Sequence, residues 1–340
     1  MGVARMWALV ALAVVLAVSV PGTAHATHVA CGDTLMQDTR LDSDLVDCPA
    51  RGVVIGADGV DLNLAGHTIS GASTSFFGVE ARAVSGIRVR NGTVSGFNFA
   101  VLMSSVSDSV VAGLTISARR NGIYFSGTSA RNRIAQNTVT AAYGIELDTD
   151  ADDNVVARNS ITARINGIEI EQLSPDRSTG NVVKHNHLAG GGDVLRAVYL
   201  EDTIIAHNTV DGGGRGLVAS GQRFEIRHNT VSRTSQGFTL AGVDNSLVKK
   251  NMATDNTFQG FVFYDSDGTT LSHNVASRNG TTGIDVLEFD PVLAPHTLAH
   301  NVANDNGTLG ISALPETIDG GRNRASGNGD PRQCVNIRCK

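Results

Sequence analysis

A set of acidic and tyrosine side chains recurs at a spacing that could do chemistry. Each lies in a short, partly apolar segment that begins with Gly, at the second or fourth position after that Gly. At these positions a strand would point its side chains outward. The members are Tyr124; Glu146 and Asp148; Glu169 and Glu171; and Tyr199 with Glu201. If successive segments stack as strands, five carboxylates share one patch, about 4.8 Å apart between strands and about 6.6 Å apart along one.

Such a patch has three interpretations. The charges are solvated surface acids; or they bind Ca²⁺, with Asp148, Asp150 and Glu171 as oxygen ligands; or they contain the carboxyl pair of a glycosidase.

On the third interpretation the residues have separate roles. Glu169, Glu171 and Asp148 are the predicted catalytic residues. Substrate contacts are predicted for the flanking residues Tyr124, Glu146, Tyr199, Glu201 and Arg177. Arg177 belongs to an inserted loop, 172–180, which directly follows Glu171 and would wall the patch.

A second column is rich in histidine. Its members are His185, His207, His228, Lys250, His273 and His300. Successive imidazoles could hold a transition metal. The alternative is a corner position at which flat polar side chains stack, and Lys250 interrupts any ligand set.

Both columns belong to an internal repeat. Each His or Lys of the second column directly precedes an Asn, and these Asn residues are spaced by about 22 residues with two longer steps. They are Asn137, Asn159, Asn186, Asn208, Asn229, Asn251, Asn274, Asn301 and Asn323. A fixed period over nine repeats predicts a solenoid in which each repeat is one coil.

Each coil is predicted to be made of short strands. An aliphatic residue stands three positions before each Asn, from Ile134 to Leu298, and apolar residues alternate with polar ones after Gly144 and Gly167. This period of two indicates strands. Asn suits the left-handed backbone of a tight corner and can hydrogen-bond to the Asn of the next coil. We expect an all-β, right-handed parallel β-helix of about twelve coils.

These motifs resemble the right-handed parallel β-helix proteins of the pectate-lyase-like and NosD-like group. The resemblance rests on the "NTV" and "NSIT" corners, the "GI" strands and the entry segment "VIGADGVDLNLAGHTISG". It implies an extracellular polysaccharide as substrate class, acted on by a lyase or hydrolase if the protein is an enzyme. For NosD-like members it implies a link to copper-site maturation.

The chain ends predict secretion and covalent caps. Residues 1–26 read as a signal peptide, with Arg5, an apolar core and an A-x-A site. Residues 27–58 and 329–340 are predicted caps around a β-helix at 59–328. In a secreted solenoid the distant ends cannot cross-link, so we predict the disulfides Cys31–Cys48 and Cys334–Cys339.

The charge composition of the chain limits the classes of binding partner. The formal net charge of −6 carries no basic excess, which argues against a nucleic-acid partner. We therefore predict a secreted or periplasmic monomer, free of the membrane after signal cleavage. It is predicted to bind a polysaccharide, and to cleave or modify it if the protein is an enzyme, with Ca²⁺ as the candidate cofactor. The alternatives are a non-catalytic surface scaffold and a NosD-like metal-handling accessory.

Overall fold

The computed structural model describes residues 28–73, 75–172, 178–287 and 294–340. Within these residues the chain forms about thirteen turns of a parallel β-solenoid and no helix. The predicted all-β right-handed parallel β-helix is confirmed, with one turn more than expected. The predicted signal peptide lies outside the described residues, and the cap boundaries stay predictions.

Three strand lines run along the solenoid, and every pairing between coils is parallel. Strands are numbered β1 to β35 in chain order. Sheet I contains β2 (Thr39–Arg40), β5 (Asp61–Asn63), β8 (Arg88–Ser95), β10 (Val110–Ser117), β12 (Arg133–Ala135), β14 (Val155–Ala157), β17 (Val182–Lys184), β20 (Ile204–Ala206), β22 (Glu225–Arg227), β24 (Leu247–Lys249), β27 (Thr270–Ser272), β30 (Thr297–Ala299) and β33 (Ile318–Gly321).

Sheet II follows the Asn corner of each coil. It contains β3 (Leu45–Cys48), β6 (Thr68–Gly71), the later parts of β8 and β10, the first parts of β13 (Thr138–Asp148) and β15 (Ser160–Glu171), β18 (His187–Gly190), the first parts of β21 (Thr209–Gln222) and β23 (Thr230–Asp244), β25 (Met252–Thr254), β28 (Val275–Ser277), β31 (Val302–Asn304) and β34 (Arg324–Ser326).

Sheet III holds the Gly-led strands. It contains β1 (Thr34–Leu35), β4 (Arg51–Ile55), β7 (Phe77–Arg82), β9 (Phe99–Ser104), β11 (Asn121–Ser126), the later parts of β13, β15, β21 and β23, β19 (Leu195–Glu201) with β16 (Ser178–Thr179) beside its end, β26 (Phe261–Tyr264), β29 (Ile284–Leu287), β32 (Ile311–Ser312) and β35 (Cys334–Val335).

The core is a stack of like side chains from successive coils. The aliphatic residues three positions before each Asn are fully buried, from Ile134 to Leu298. In sheet III the rings of Phe238 and Phe261 stack with centroids 4.4 Å apart. The buried side chains are mainly apolar, and the buried Asn side chains bond to one another at the corners, so groups that could act on a ligand lie at outward positions.

Asn ladders tie the corners together. Asn159 shows the pattern: its backbone N and its Nδ2 both donate to Oδ1 of Asn186, at 2.9 and 3.0 Å, and its Nδ2 also donates to the carbonyl of Ile134 at 3.0 Å. The predicted Asn–Asn bonding is confirmed. The predicted left-handed conformation of these Asn residues is wrong, because the residue before each Asn adopts it, as at Arg158 (φ 58) and His185 (φ 57).

The Gly that leads each sheet III strand is required by space. A Cβ on Gly144 would lie 2.4 Å from the carbonyl oxygen of Gly167 on the next coil. Neither residue has a positive φ. The "GI" motif therefore marks the place where adjacent coils come closest, and it fixes the register of the outward side chains that follow.

Both predicted disulfides are formed. Cys31 is bonded to Cys48, and Cys334 to Cys339. Strands β1, β2 and β3 pair in register with β4, β5 and β6. The first bridge thus links the two ends of the first coil.

Candidate functional site

The outward face of sheet III brings together most of the predicted site. Strand pairing aligns Tyr124 with Glu146 and Glu146 with Glu169, and it aligns Asp148 with Glu171. These four carboxylates, with Arg196 described next, are called the acidic cluster below. The sequence predicted this part of the patch because Gly122, Gly144 and Gly167 keep one register.

The next coil differs from the prediction. Arg196 lies beside Glu169, and Val198 lies beside Glu171. On this coil Val194 stands where most of the other strands begin with Gly. A search for Gly therefore could not find the register of this strand in the sequence. The predicted alignment of Tyr199 and Glu201 with the cluster is therefore wrong.

Tyr199 and Glu201 lie where the register of β19 slips. The shift falls between Ala197 and Leu200, and Tyr199 sits within it with a φ of 59° and 55% exposure. Glu201 forms an ion pair with Arg223 at 2.6 Å. Both residues are thus turned toward the corner and away from the acidic cluster.

Arg196 supplies the positive charge that the predicted patch lacked. Its Nε lies 3.1 Å from Oε1 of Glu169, and its Nη2 lies 2.8 Å from Oε1 of Glu171. Its Nη1 lies 3.6 Å from Oδ2 of Asp193. The guanidinium is only 23% exposed, so these contacts are weakly screened and offset the repulsion between neighbouring acids.

Among the described residues Glu146 forms no ion pair, although the charge of Arg120 acts on it. Asn121 Nδ2 donates a hydrogen bond to its Oε2. Burial raises the pKa of Glu146 to about 7, and the charges of Glu169 and Asp148 add to that rise while the Asn121 bond opposes it. Glu146 therefore exchanges its proton near neutral pH, as a general acid or base must.

Asn121 can serve either protonation state of Glu146. Its Oδ1 is buried and accepts no hydrogen bond from the described residues. Rotation of the amide by a half turn would present this oxygen to a protonated carboxyl, since amide orientation is set by the hydrogen-bond network.

The remaining carboxylates are held by hydrogen bonds. Asp148 accepts from Tyr124 Oη at 3.1 Å and from Thr149 Oγ1 at 3.0 Å. Burial, together with the Asp148 charge, raises the pKa of Tyr124 to about 12. Burial also raises the pKa of Glu169, against a bond from Asn166 Nδ2 at 2.9 Å and the charge of Arg196.

An aromatic ladder leads into the acidic cluster. The rings of Phe77, Phe99 and Tyr124 follow one another with centroid distances of 5.7 and 5.7 Å. Phe76 lies 5.9 Å from Phe77 and is 56% exposed. Sequence reasoning missed this ladder because Ala100 replaces the leading Gly after Phe99. Aligning Phe77-Gly78 with Phe99-Ala100 would have found the first step, but Asn121 and not Tyr124 is the register partner of Phe99.

The predicted calcium ligands are not gathered into one site. Asp150 exchanges hydrogen bonds with Gln172, whose Nε2 lies 2.9 Å from Oδ1 of Asp150. Among the described residues no group of three or more His, Cys, Asp or Glu is arranged to hold a metal ion. Calcium binding stays a prediction, and Arg177 lies outside the described residues.

The histidine column forms two stacks of rings. His185, His207 and His228 stack with centroids 4.8 Å apart at each step. His273 and His300 stack at 4.5 Å, beyond Lys250. Ring nitrogens bind metals in the ring plane, so parallel stacked rings do not converge on one ion; this geometry favours the stacked-corner interpretation.

Two family models match the chain. The right handed beta helix region matches residues 42–183, and the periplasmic copper-binding protein (NosD) model matches residues 164–328. No curated protein matches significantly. The strand topology and these two matches support a right-handed parallel β-helix repeat protein of the NosD-like group.

Several solved structures share the fold. A double mutant of the periplasmic alginate epimerase AlgG is 15% identical, with 88% of this chain and 76% of that chain covered and a TM-score of 0.55. The Dettilon tailspike protein is 14% identical, with 88% of this chain and 61% of that chain covered and a TM-score of 0.53. A mutant of DFA-IIIase from Arthrobacter chlorophenolicus A6 in complex with DFA-III is 13% identical, with 82% of this chain and 73% of that chain covered and a TM-score of 0.50. At these identities the likeness shows the fold alone.

No helix of membrane-spanning length and hydropathy occurs in the part of the chain that the structure describes.

Proposed function

We propose that the outward face of sheet III binds an extended polysaccharide and that Glu146 is the acid that helps to cleave it. One observation carries the proposal: the aromatic ladder ends at Tyr124, whose ring contacts Phe99 and whose register partner on the next coil is Glu146, a carboxyl group with a pKa of about 7. A binding platform and a proton donor thus lie side by side on one sheet.

The aromatic ladder suits sugars. Aromatic rings offer an apolar face at small cost in conformational entropy, and the C–H faces of pyranose rings pack against such surfaces. Arg82 and Arg120 lie 5.9 and 5.3 Å from the Phe77 and Phe99 ring centroids. Arg82 Nε already donates to Glu80 Oε1 at 2.7 Å, so we propose Arg120 as the donor to sugar oxygens at the rings.

The acidic cluster suits hydrolysis. Glu146 donates its proton to the glycosidic oxygen, and Asp148 acts as the second carboxylate, about 6.6 Å further along the strand. That backbone spacing is compatible with a water molecule between the two carboxyl groups, as inversion requires. Glu169 and Glu171, predicted as catalytic, instead hold Arg196 and shape the field around Glu146.

A lyase reaction is less well supported. It needs a neutral or exposed base near the sugar, and Arg196 is engaged by Glu169, Glu171 and Asp193. One solved structure with this fold is, by its name, an alginate epimerase; the polysaccharide substrate class is carried to this chain as part of the proposal. We also propose that the protein acts outside the cytoplasm, where its two disulfides persist.

A product assay tests the proposal. Residues 28–340 are incubated with neutral and acidic polysaccharides, with and without Ca²⁺, and both reducing ends and unsaturated ends are measured. We expect new reducing ends without unsaturation, and a loss of roughly 10²-fold or more in Glu146→Gln, the usual scale for removing a general acid.

Glu225→Gln is the matched control, because Glu225 lies on sheet I in ion pairs with Arg227 and Lys249. Equal activity of the two variants would refute the role of Glu146. If no polysaccharide is bound or cleaved, the chain is a scaffold, as the alternative interpretation holds.

A further inference from the structure

A row of basic side chains, five of them imidazoles, runs along one corner of the solenoid, between sheets I and II. Each member directly precedes a ladder Asn and has a left-handed φ between 54° and 60°. The members, called the basic corner below, are Arg158, His185, His207, His228, Lys250, His273, His300 and Arg322. At about 4.8 Å per coil, the row is about 34 Å long.

The other corners show that this charge is not required by the fold. Left-handed corner residues there alternate between Asp and Arg, which pair across adjacent coils. Arg131 contacts Asp108 at 2.7 Å, and Arg278 contacts Asp255 at 2.8 Å. No acid occupies any of the eight positions of the basic corner. The fixed cations of the row, Arg158, Lys250 and Arg322, therefore have no acid beside them within the row, whereas Arg131 and Arg278 at the other corners are each paired with an Asp.

Neighbouring side chains add to the positive charge. Lys184, Arg227 and Lys249 each stand one residue before a member of the basic corner. Glu225 is the acid on the same sheet I strand as Arg227, and it already contacts Arg227 at 2.9 Å and Lys249 at 3.6 Å.

The row ends in a concave site. A pocket of about 460 Å³ is lined by His273, His300, Arg322, Arg324 and Lys340, with Val302 and Asn323. Among the described residues none of these five basic side chains forms an ion pair with a carboxylate. The pocket and the row together form one basic track, with Arg322, Arg324 and Lys340 as fixed cations at its end, on a chain whose net charge is −6.

We propose that the basic corner binds a linear anionic polysaccharide, with one carboxylate or sulfate group near each coil and the terminal pocket holding the end of the bound segment. The track is one residue wide and repeats once per coil, which matches a polymer that carries one charge per sugar. This site is separate from the acidic cluster and does not depend on the proposed hydrolysis.

Other polyanions fit the track less well. Single-stranded nucleic acid is bound through bases stacked on exposed aromatic rings, whereas these imidazoles already stack on each other. A lipid surface would require apolar side chains that insert, and the members of the row are polar throughout.

The imidazole stacks make the site sensitive to pH. Desolvation, followed by the charge of neighbouring imidazoles, lowers the pKa values of His185, His228 and His300. The other groups facing His185 and His228 are Arg158, Lys184, Arg227, Lys249 and Lys250, and Arg322 faces His300. A bound anion would relieve this repulsion, so binding is coupled to proton uptake and strengthens as the pH falls.

The test uses polygalacturonate as the probe, at about pH 5.5 and about pH 7.5, in 50 and 200 mM salt. The variant His207→Gln/His228→Gln/Lys250→Gln removes three members of the row. Gln136 occupies the same left-handed position on an earlier coil, with a φ of 58°, so Gln fits the backbone. The control Arg131→Gln/Arg278→Gln removes charge from the two other corners.

We expect at least tenfold weaker binding in the triple variant and less than threefold change in the control. We also expect tighter binding at the lower pH and a steep loss with salt, as for polyelectrolytes in general. The proposal is overturned if the triple variant loses neutral dextran binding as much as polygalacturonate binding, if single-stranded DNA binds more tightly, or if both variants behave alike. Nanomolar Cu²⁺ binding lost in His207→Gln would instead support metal handling. The triple variant leaves the acidic cluster on sheet III intact, which separates a failure of this binding from a failure of the hydrolase proposal.

Discussion

At the scale of single residues, the acidic cluster divides its carboxyl groups by environment. Glu169 and Glu171 share Arg196, while Glu146 has an amide as its partner and Asp148 a phenol and a hydroxyl. The position of Arg196 on the next coil thus decides which acids form ion pairs, Glu169 and Glu171, and which acid can exchange a proton, Glu146. The same residue type takes different roles according to its neighbours across the sheet.

The raised pKa of Glu146 predicts how stability depends on pH. Burial raises its pKa from 4.5 to about 7, so between these values the folded protein binds a proton that the unfolded chain releases. Stability from this group is present below about pH 4.5 and is lost as the pH rises through about 7. Gln does not titrate, so the Glu146→Gln variant lacks this pH-dependent loss of stability. We therefore expect the Tm of the variant, relative to that of the wild type, to rise by a few degrees between pH 5 and pH 8.

Thermal melts across that pH range measure the difference. Glu225→Gln should run parallel to the wild type, because its carboxylate is paired on another sheet. A Glu146→Gln curve that also runs parallel would mean that Glu146 titrates as an ordinary surface acid.

At the scale of elements, the Asn ladders hold the coils in register. Asn208 donates from Nδ2 to the Val183 carbonyl at 2.9 Å and to Asn229 Oδ1 at 3.0 Å, while its own Oδ1 accepts from the backbone N and the Nδ2 of Asn186, both at 3.0 Å. We expect Asn208→Ala to lower the free energy of unfolding by about 2–4 kcal/mol, since it leaves several buried groups unpaired.

Urea denaturation measures this loss. The control is Thr209→Ala, which changes the exposed neighbour and should cost less than about 1 kcal/mol. Equal losses in the two variants would contradict a structural role for the ladder.

The elements also show what the sequence could predict. The Asn period and the leading Gly residues placed Glu146, Asp148, Glu169 and Glu171 on one face, because they mark equivalent points of each coil. The prediction failed at Tyr199, where Val194 replaces the leading Gly and β19 slips in register.

Two further features were hidden for a similar reason. Arg196 was not considered because only the three-dimensional register brings it beside Glu169. The left-handed conformation was predicted for the Asn residues because Asn tolerates it well. The residue before each Asn adopts it instead, since the Asn is a buried hydrogen-bond partner of the next coil.

At the scale of the whole molecule, the solenoid separates unlike surfaces on one rigid rod. Sheet III carries the aromatic ladder and the acidic cluster, and the corner between sheets I and II carries the cations. Because each coil contributes one residue to each column, the fold turns a repeat in sequence into parallel tracks on the surface. A long polymer is the ligand that such tracks suit.

The central claim is that sheet III binds a saccharide chain, and calorimetry with a panel of neutral and acidic hexasaccharides tests it most directly. We predict that Phe99→Ala weakens binding about tenfold, or about 1.4 kcal/mol, while Phe258→Ala, which truncates a 49% exposed ring outside the ladder, has no effect. Unchanged binding in Phe99→Ala, or equal weakening in both variants, would contradict the account.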